Sequence, residues 1–169
     1  MVFWLYLKGF WGQDYGGSNM YDYYKGYTIR EGNTGIDGAA LRKLYEAVGW
    51  CGSSMPAWQN EKFEIAMKNS AWAFTVWDKD ELIGMVRVVS DKVMVASIQD
   101  LIILEKYRNI GLGKKLVEKC IAKLPCGNWS ARTTPENYEF YKKCGFSMPE
   151  ENNATMEYNG FRMSRKDRG

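Results

Sequence analysis

Histidine is absent from this chain of 169 residues. A histidine-based catalytic triad and the common zinc sites are thereby excluded, and no metal site is expected. Cysteine is sparse: Cys51, Cys120, Cys126 and Cys144 form no CxxC pair and no disulfide framework. Free thiols suit a reducing compartment, so the cytoplasm is the expected location. A cysteine nucleophile would need a base other than histidine. Long apolar runs are missing too. Nothing approaches the roughly 18 consecutive apolar residues of a membrane helix, so no stable membrane insertion is expected. The formal net charge is only +3. Without a clustered basic face, nucleic acid is not an expected partner. Arg162, Arg165, Lys166 and Arg168 form a small basic tail, of the kind termini commonly carry. No internal repeat or low-complexity linker divides the chain, and 46% hydrophobic content fits one domain with a real core.

The N-terminal stretch 1–20 is crowded with aromatic residues, broken by Lys8, Gly9, Gly12 and Gln13. It lacks the charged-then-apolar order of a secretory signal. Three readings stay open: a segment that packs on the domain or a partner, a start that belongs at Met20, or a membrane-surface anchor. The domain itself is read as 21–169.

Patterning predicts a strand at Tyr24–Glu31, a turn at Gly32–Gly35 and a helix at Ile36–Val48 with apolar residues at helical spacing. Pro56 suits the first position of a second helix, to about Asn69. Ala71–Trp77 and Glu81–Val89 read as a hairpin around Asp78-Lys79-Asp80. Ile98–Leu104 is a further strand. Leu112, Leu116, Val117, Cys120, Ile121 and Leu124 then mark a helix over Gly111–Lys123. A short strand follows at Asn128–Thr133. Pro135 opens a last helix ending near Cys144-Gly145, and one or two weak strands are expected from Phe146 onward. This order gives a mixed α/β (α+β) domain, in which a hairpin feeds a βαβ unit.

The richest segment is Asp100–Leu124, an apolar strand, a turn carrying Arg108, Gly111 and Gly113, and then the amphipathic helix. The first N–H groups of a helix lack intrahelical partners and carry the positive end of its dipole, which makes an anion site. Glycine lets the backbone approach a phosphate closely. A Walker A loop would need glycine at position 108 and Ser or Thr at 115, where Arg108 and Lys115 stand. A dinucleotide fingerprint needs a third glycine, and position 108 is again arginine.

What remains, Arg-x-x-Gly-x-Gly after a strand, resembles the acetyl-CoA pyrophosphate loop of the GNAT N-acetyltransferase superfamily. It runs Tyr107-Arg108-Asn109-Ile110-Gly111-Leu112-Gly113. Asn137 to Phe146, with Phe140-Tyr141, three residues and Gly145-Phe146, resembles the family's later helix. Both motifs stand in family order, and the similarity covers roughly Tyr24–Phe146. Thr134 stands where the family often has Asn. The resemblance implies a central mixed sheet of about six to seven strands flanked by about four helices. It implies acetyl transfer from acetyl-CoA to a primary amine of a small molecule or peptide, by direct attack in a ternary complex.

On that resemblance, Arg108, Asn109, Ile110, Gly111, Leu112, Gly113 and Lys114 hold the diphosphate. The backbone of Leu101, Ile102 and Ile103 pairs with the pantetheine arm and supplies the oxyanion donor. Lys114 and Lys115 also read as plain helix-surface lysines. Strand alternation places Asp100 with Ile98, Ile102 and Leu104. A carboxylate on an apolar strand needs a partner or a role: it is either the base or substrate contact that relatives carry here, or a group paired within the fold. Tyr141 matches the tyrosine that reprotonates the leaving thiolate in relatives; the plain reading is a core aromatic beside Phe140 and Phe146. Tyr138, one turn earlier, is the alternative donor. Trp50 and Trp58 either stack on an acceptor or pack in the core. A non-catalytic acetyl-CoA-binding module, transfer of a larger acyl group, and a homodimer are left open.

Overall fold

The computed structural model describes residues 21–149 except 53 and 55. The aromatic N-terminal stretch, the basic tail and most of the region expected to hold the last weak strands lie outside the described residues. A six-stranded sheet has the order β1-β2-β3-β4-β5-β6. Its strands are β1 (Tyr21–Tyr24), β2 (Tyr27–Glu31), β3 (Trp72–Asp78), β4 (Glu81–Ser90), β5 (Val95–Ile103) and β6 (Asn128–Ala131). Neighbours run antiparallel except β5 and β6, which are parallel. Among the described residues four α-helices flank it: α1 (Gly38–Ala47), α2 (Asn60–Lys68), α3 (Leu112–Ile121) and α4 (Tyr138–Lys143). The mixed α/β architecture expected from the sequence is the one observed.

Helix α1 begins where Asp37 accepts hydrogen bonds from the backbone N–H groups of Ala39 and Ala40, both at 3.3 Å, an N-cap that satisfies two otherwise orphaned donors. Gly38 donates its N–H to Glu64 Oε1 at 2.7 Å. A Cβ at Gly38 would lie 2.7 Å from the Asn60 carbonyl oxygen, so only glycine lets α1 and α2 approach this closely.

The sheet carries a core on each face. Leu112, Leu116, Val117 and Cys120 of α3 pack on Ile29, Phe74, Val76, Val86, Val88, Ala96 and Ile98. Leu41 and Leu44 of α1, with Met67 of α2, pack on Ala73, Leu82, Met85 and Ile102. Phe74 is 1% exposed at the centre of the α3-side core. Phe74→Ala is expected to destabilise the fold by about 3–5 kcal/mol, through lost transfer energy and the cavity left behind. A urea titration followed by circular dichroism checks this; a change within 1 kcal/mol of zero would show that the site collapses around the smaller side chain.

Two sequence expectations are corrected. The single strand at Tyr24–Glu31 is instead a hairpin of β1 and β2, with Tyr24 paired to Tyr27. Lys25 and Gly26 have φ of 51° and 86°, the left-handed pair that a two-residue turn matching the strand twist requires. The second correction bears on function. Along β5, Ile102 pairs with Met85 and Gln99 with Arg87, so three steps on β5 oppose two on β4. The extra residue is a β-bulge, and Asp100 takes φ of 48° there. Plain alternation would put Ile98 and Ile102 on one face. The bulge sends Ile98 into the α3-side core and Ile102 into the α1–α2 core.

Candidate active site

β6 pairs with β5 only from Val95 to Ile98. β5 runs on to Ile103 with β4 on one side and, among the described residues, no strand on the other. The Leu104 N–H donates to the Ile83 carbonyl at 2.9 Å. Peptide groups alternate along an antiparallel strand, so those of Ile103 face away from β4, into the gap. In agreement, the Ile103 carbonyl accepts a hydrogen bond from Arg108 Nε at 2.9 Å. The same alternation turns the peptide groups of Ile102 back to β4. Of these two residues it is Ile103 that presents backbone to the opening, while Ile102 serves the α1–α2 core.

The gap leads into the loop Leu104–Gly111. One helical turn at Glu105–Tyr107 starts it. The Tyr107 hydroxyl lies 2.8 Å from Asp78 Oδ2 and 3.2 Å from Glu81 Oε2, which ties the loop to the β3–β4 turn. Asn109 and Gly111 then take φ of 62° and 89°. Gly111 caps α3 with no side-chain hydrogen bond to its first N–H groups. The first turn contains Lys114 and Lys115 and no acidic residue, an order the helix dipole alone disfavours. An uncapped N-terminus flanked by cations fits a diphosphate. Lys114 also pairs with Glu118 at 3.9 Å, as a helix-surface lysine does.

The two motifs meet through Gly113. A Cβ there would lie 3.3 Å from the Phe140 ring, so the loop's second glycine leaves room for α4 to seat closely on the start of α3. Tyr141 follows. Its ring meets Phe140 edge-on at 5.1 Å and Phe146 at 5.4 Å. Burial, reinforced by the neighbouring Cys144 and Cys120, pushes its phenol up to about 12.

On the α1 side of the bulge, Asp100 is held by two groups that sequence reasoning missed. The Tyr45 hydroxyl of α1 donates to Asp100 Oδ2 at 2.7 Å, and Arg87 Nε of β4 donates to the same oxygen. Burial and the adjacent Asp100 charge raise the Tyr45 phenol well above its ordinary value. Burial alone would lower Arg87, but the Asp100 charge outweighs it and the guanidinium is raised. Arg87 carried a signal: it is the lone charge inside an apolar strand, and such a charge needs a partner. Tyr45 was hidden in the apolar stripe of α1. Its ring contacts Phe63 at 4.6 Å and Trp50 at 6.0 Å. Trp50 and Trp58 stay exposed, at 55% and 70%, rather than in the core.

Comparison with known proteins agrees with this geometry. The family model described as "Acetyltransferase (GNAT) family" matches residues 33–146. An uncharacterized N-acetyltransferase, ycf52, of the alga Pyropia yezoensis is 31% identical over 121 residues, covering 68% of this chain and 67% of that protein. Serotonin N-acetyltransferase 2, chloroplastic, of Oryza sativa subsp. japonica is 26% identical over 134 residues, covering 73% of this chain and 63% of the rice protein. The chain therefore spans about two thirds of the length of these relatives. Among solved structures, a GNAT family acetyltransferase from Streptococcus pneumoniae TIGR4 superposes with a TM-score of 0.66 at 25% identity, over 79% of this chain and 98% of that one. With its split strand, glycine loop and Phe-Tyr helix, the chain belongs to the GNAT family of acetyltransferases.

Proposed function

We propose that the chain transfers an acetyl group from acetyl-CoA to a primary amine by direct attack in a ternary complex. One observation carries this reading: the outward-facing peptide of Ile103 lies on an unpaired strand edge that runs straight into the uncapped N-terminus of α3. The thioester supplies an activated acyl group and a leaving thiolate. Amides of the loop Arg108–Lys114 hold the diphosphate. The Ile103 backbone takes up the pantetheine arm as a peptide would join a sheet edge, and the open edge gives the thioester oxygen its donor. Tyr141 gives its proton to the departing sulfur.

Asp100 positions the acceptor. Oδ2 is engaged by both Tyr45 and Arg87, and this pairing favours orienting the amine, which gives up its proton to solvent water before it attacks, over Asp100 taking that proton itself. The exposed Trp50 and the rings of Tyr45 and Phe63 beside it suit an amine with a flat aromatic body. That the rice relative is named a serotonin N-acetyltransferase supports the same choice. Thiol-release assays with acetyl-CoA against arylalkylamines, polyamines, aminoglycosides and peptides test it. Turnover is expected with arylalkylamines. Release with none of these acceptors, together with no acetyl-CoA binding by calorimetry, would overturn the proposal.

Asp100→Asn sharpens the assignment. Asn tolerates the left-handed backbone at this position, so the bulge survives while the charge is lost. The expected result is a fall of about 10²-fold in kcat/KM for the amine, with acetyl-CoA affinity kept. An unchanged kcat/KM would leave Asp100 only its ion pair in the fold.

A further inference from the structure

We propose that the β1–β2 turn, which precedes the residues matched by the family model, completes the diphosphate site through Tyr24, assisted by Lys25 and Lys115; this rests on the cofactor reading given above. A Cβ on Gly111 would lie only 2.6 Å from Tyr24 Oη. The phenol therefore lies almost against the backbone of the loop, in space that any other residue at 111 would fill. Two ammonium groups lie near its ring: Lys25 Nζ is 5.7 Å and Lys115 Nζ 5.9 Å from the centroid, both within cation–π range. Lys115 belongs to the first turn of α3, yet its side chain reaches back to β1, where Asp22 Oδ2 lies 4.0 Å away. Asp22 pairs more closely with Lys119, at 3.0 Å, so it offsets part of the positive charge without capturing Lys115.

A hydroxyl so close to the Gly111 backbone is within reach of a phosphate oxygen bound to the amides of the same turn. It can donate to that oxygen while the two nearby lysines supply positive charge. The turn geometry serves this placement. Lys25 and Gly26 reverse the chain directly after Tyr24, so β1 ends with its last side chain over the loop. The family's glycine loop here borrows a wall from the hairpin that precedes it in sequence.

The test is calorimetric titration of acetyl-CoA and of its 3′-dephospho analogue into wild type, Tyr24→Phe and Lys25→Ala. Tyr24→Phe keeps the ring and removes only the hydroxyl. It is expected to weaken both ligands by about tenfold, the range of a hydrogen bond to a charged group. Lys25→Ala, at an exposed turn, is expected to weaken both ligands by a smaller factor that shrinks as salt is added. Wild-type affinity in Tyr24→Phe overturns the proposal. So does a loss seen with acetyl-CoA but not with the dephospho analogue, because the contact would then be to the 3′-phosphate. Failure of the wild type to bind either ligand would instead overturn the cofactor reading itself.

Discussion

Tyr141→Phe is expected to lower kcat by about 10²–10³-fold, within the span of general acid–base groups, with acetyl-CoA bound as before. The substitution keeps the edge-on ring contacts to Phe140 and Phe146, so packing is preserved and only the proton donor is lost. Burial holds the phenol near 12, and at neutral pH the donor is fully protonated. That value also makes it a weaker acid than a free thiol, whose ordinary value is about 8.5. On the proposed role, the proton is expected to pass to the sulfur as the C–S bond breaks and negative charge builds on it. The pH profile follows in sign. Turnover rises as the acceptor ammonium loses its proton toward about 10.4. The loss of the donor's proton would cut it only as pH climbs through about 12. Stopped-flow and steady-state rates across about pH 6–10 check the rise and the absence of any fall in that range. An unaltered kcat in the Phe variant would remove Tyr141 from the chemistry and turn attention to Tyr138.

Gly111→Asp is expected to abolish acetyl-CoA binding, with a loss beyond 100-fold by calorimetry. Three effects act together. A side chain at φ of 89° is strained, at a cost of about 1–3 kcal/mol. Its Cβ would collide with Tyr24 Oη. Its carboxylate would sit where the ligand's own negative charge must go. Arg108→Glu is the companion variant. It loses the bond to the Ile103 carbonyl and reverses one charge, without asking the backbone to move. Thermal unfolding separates a damaged fold from a damaged site. Full affinity in two folded variants would show that the loop does not carry the diphosphate.

The parts legible in the sequence were those written in local periodicity. Helix α3 announced itself by Leu112, Leu116, Val117 and Cys120, all of which are buried. Its glycine loop stood out because Arg108 ruled out other phosphate-binding patterns. The β1–β2 hairpin did not stand out, since its turn is Lys25-Gly26 rather than the usual Asn-Gly, and Tyr24 and Tyr27 on either side of it read as parts of one strand. The bulge at Asp100 was invisible for a different reason. A period of two counts residues along one strand, and an extra residue shows only when the partner strand is laid beside it. Arg87 and Tyr45 lie 13 and 55 positions from Asp100; the pairing of β4 with β5 brings in Arg87 and the packing of α1 on the sheet brings in Tyr45.

The parting of β5 from β6 after Ile98 has a kinetic consequence. The C-terminal part of the chain, with α4 and Tyr141, is stitched to the sheet by the short ladder from Val95 to Ile98. A pantetheine chain lodged beyond that point would extend the seam. Once acetyl had left, the spent carrier would have to be unzipped from the strand before a fresh one could enter, so the proposed pairing would add a bond-breaking departure step to each catalytic cycle.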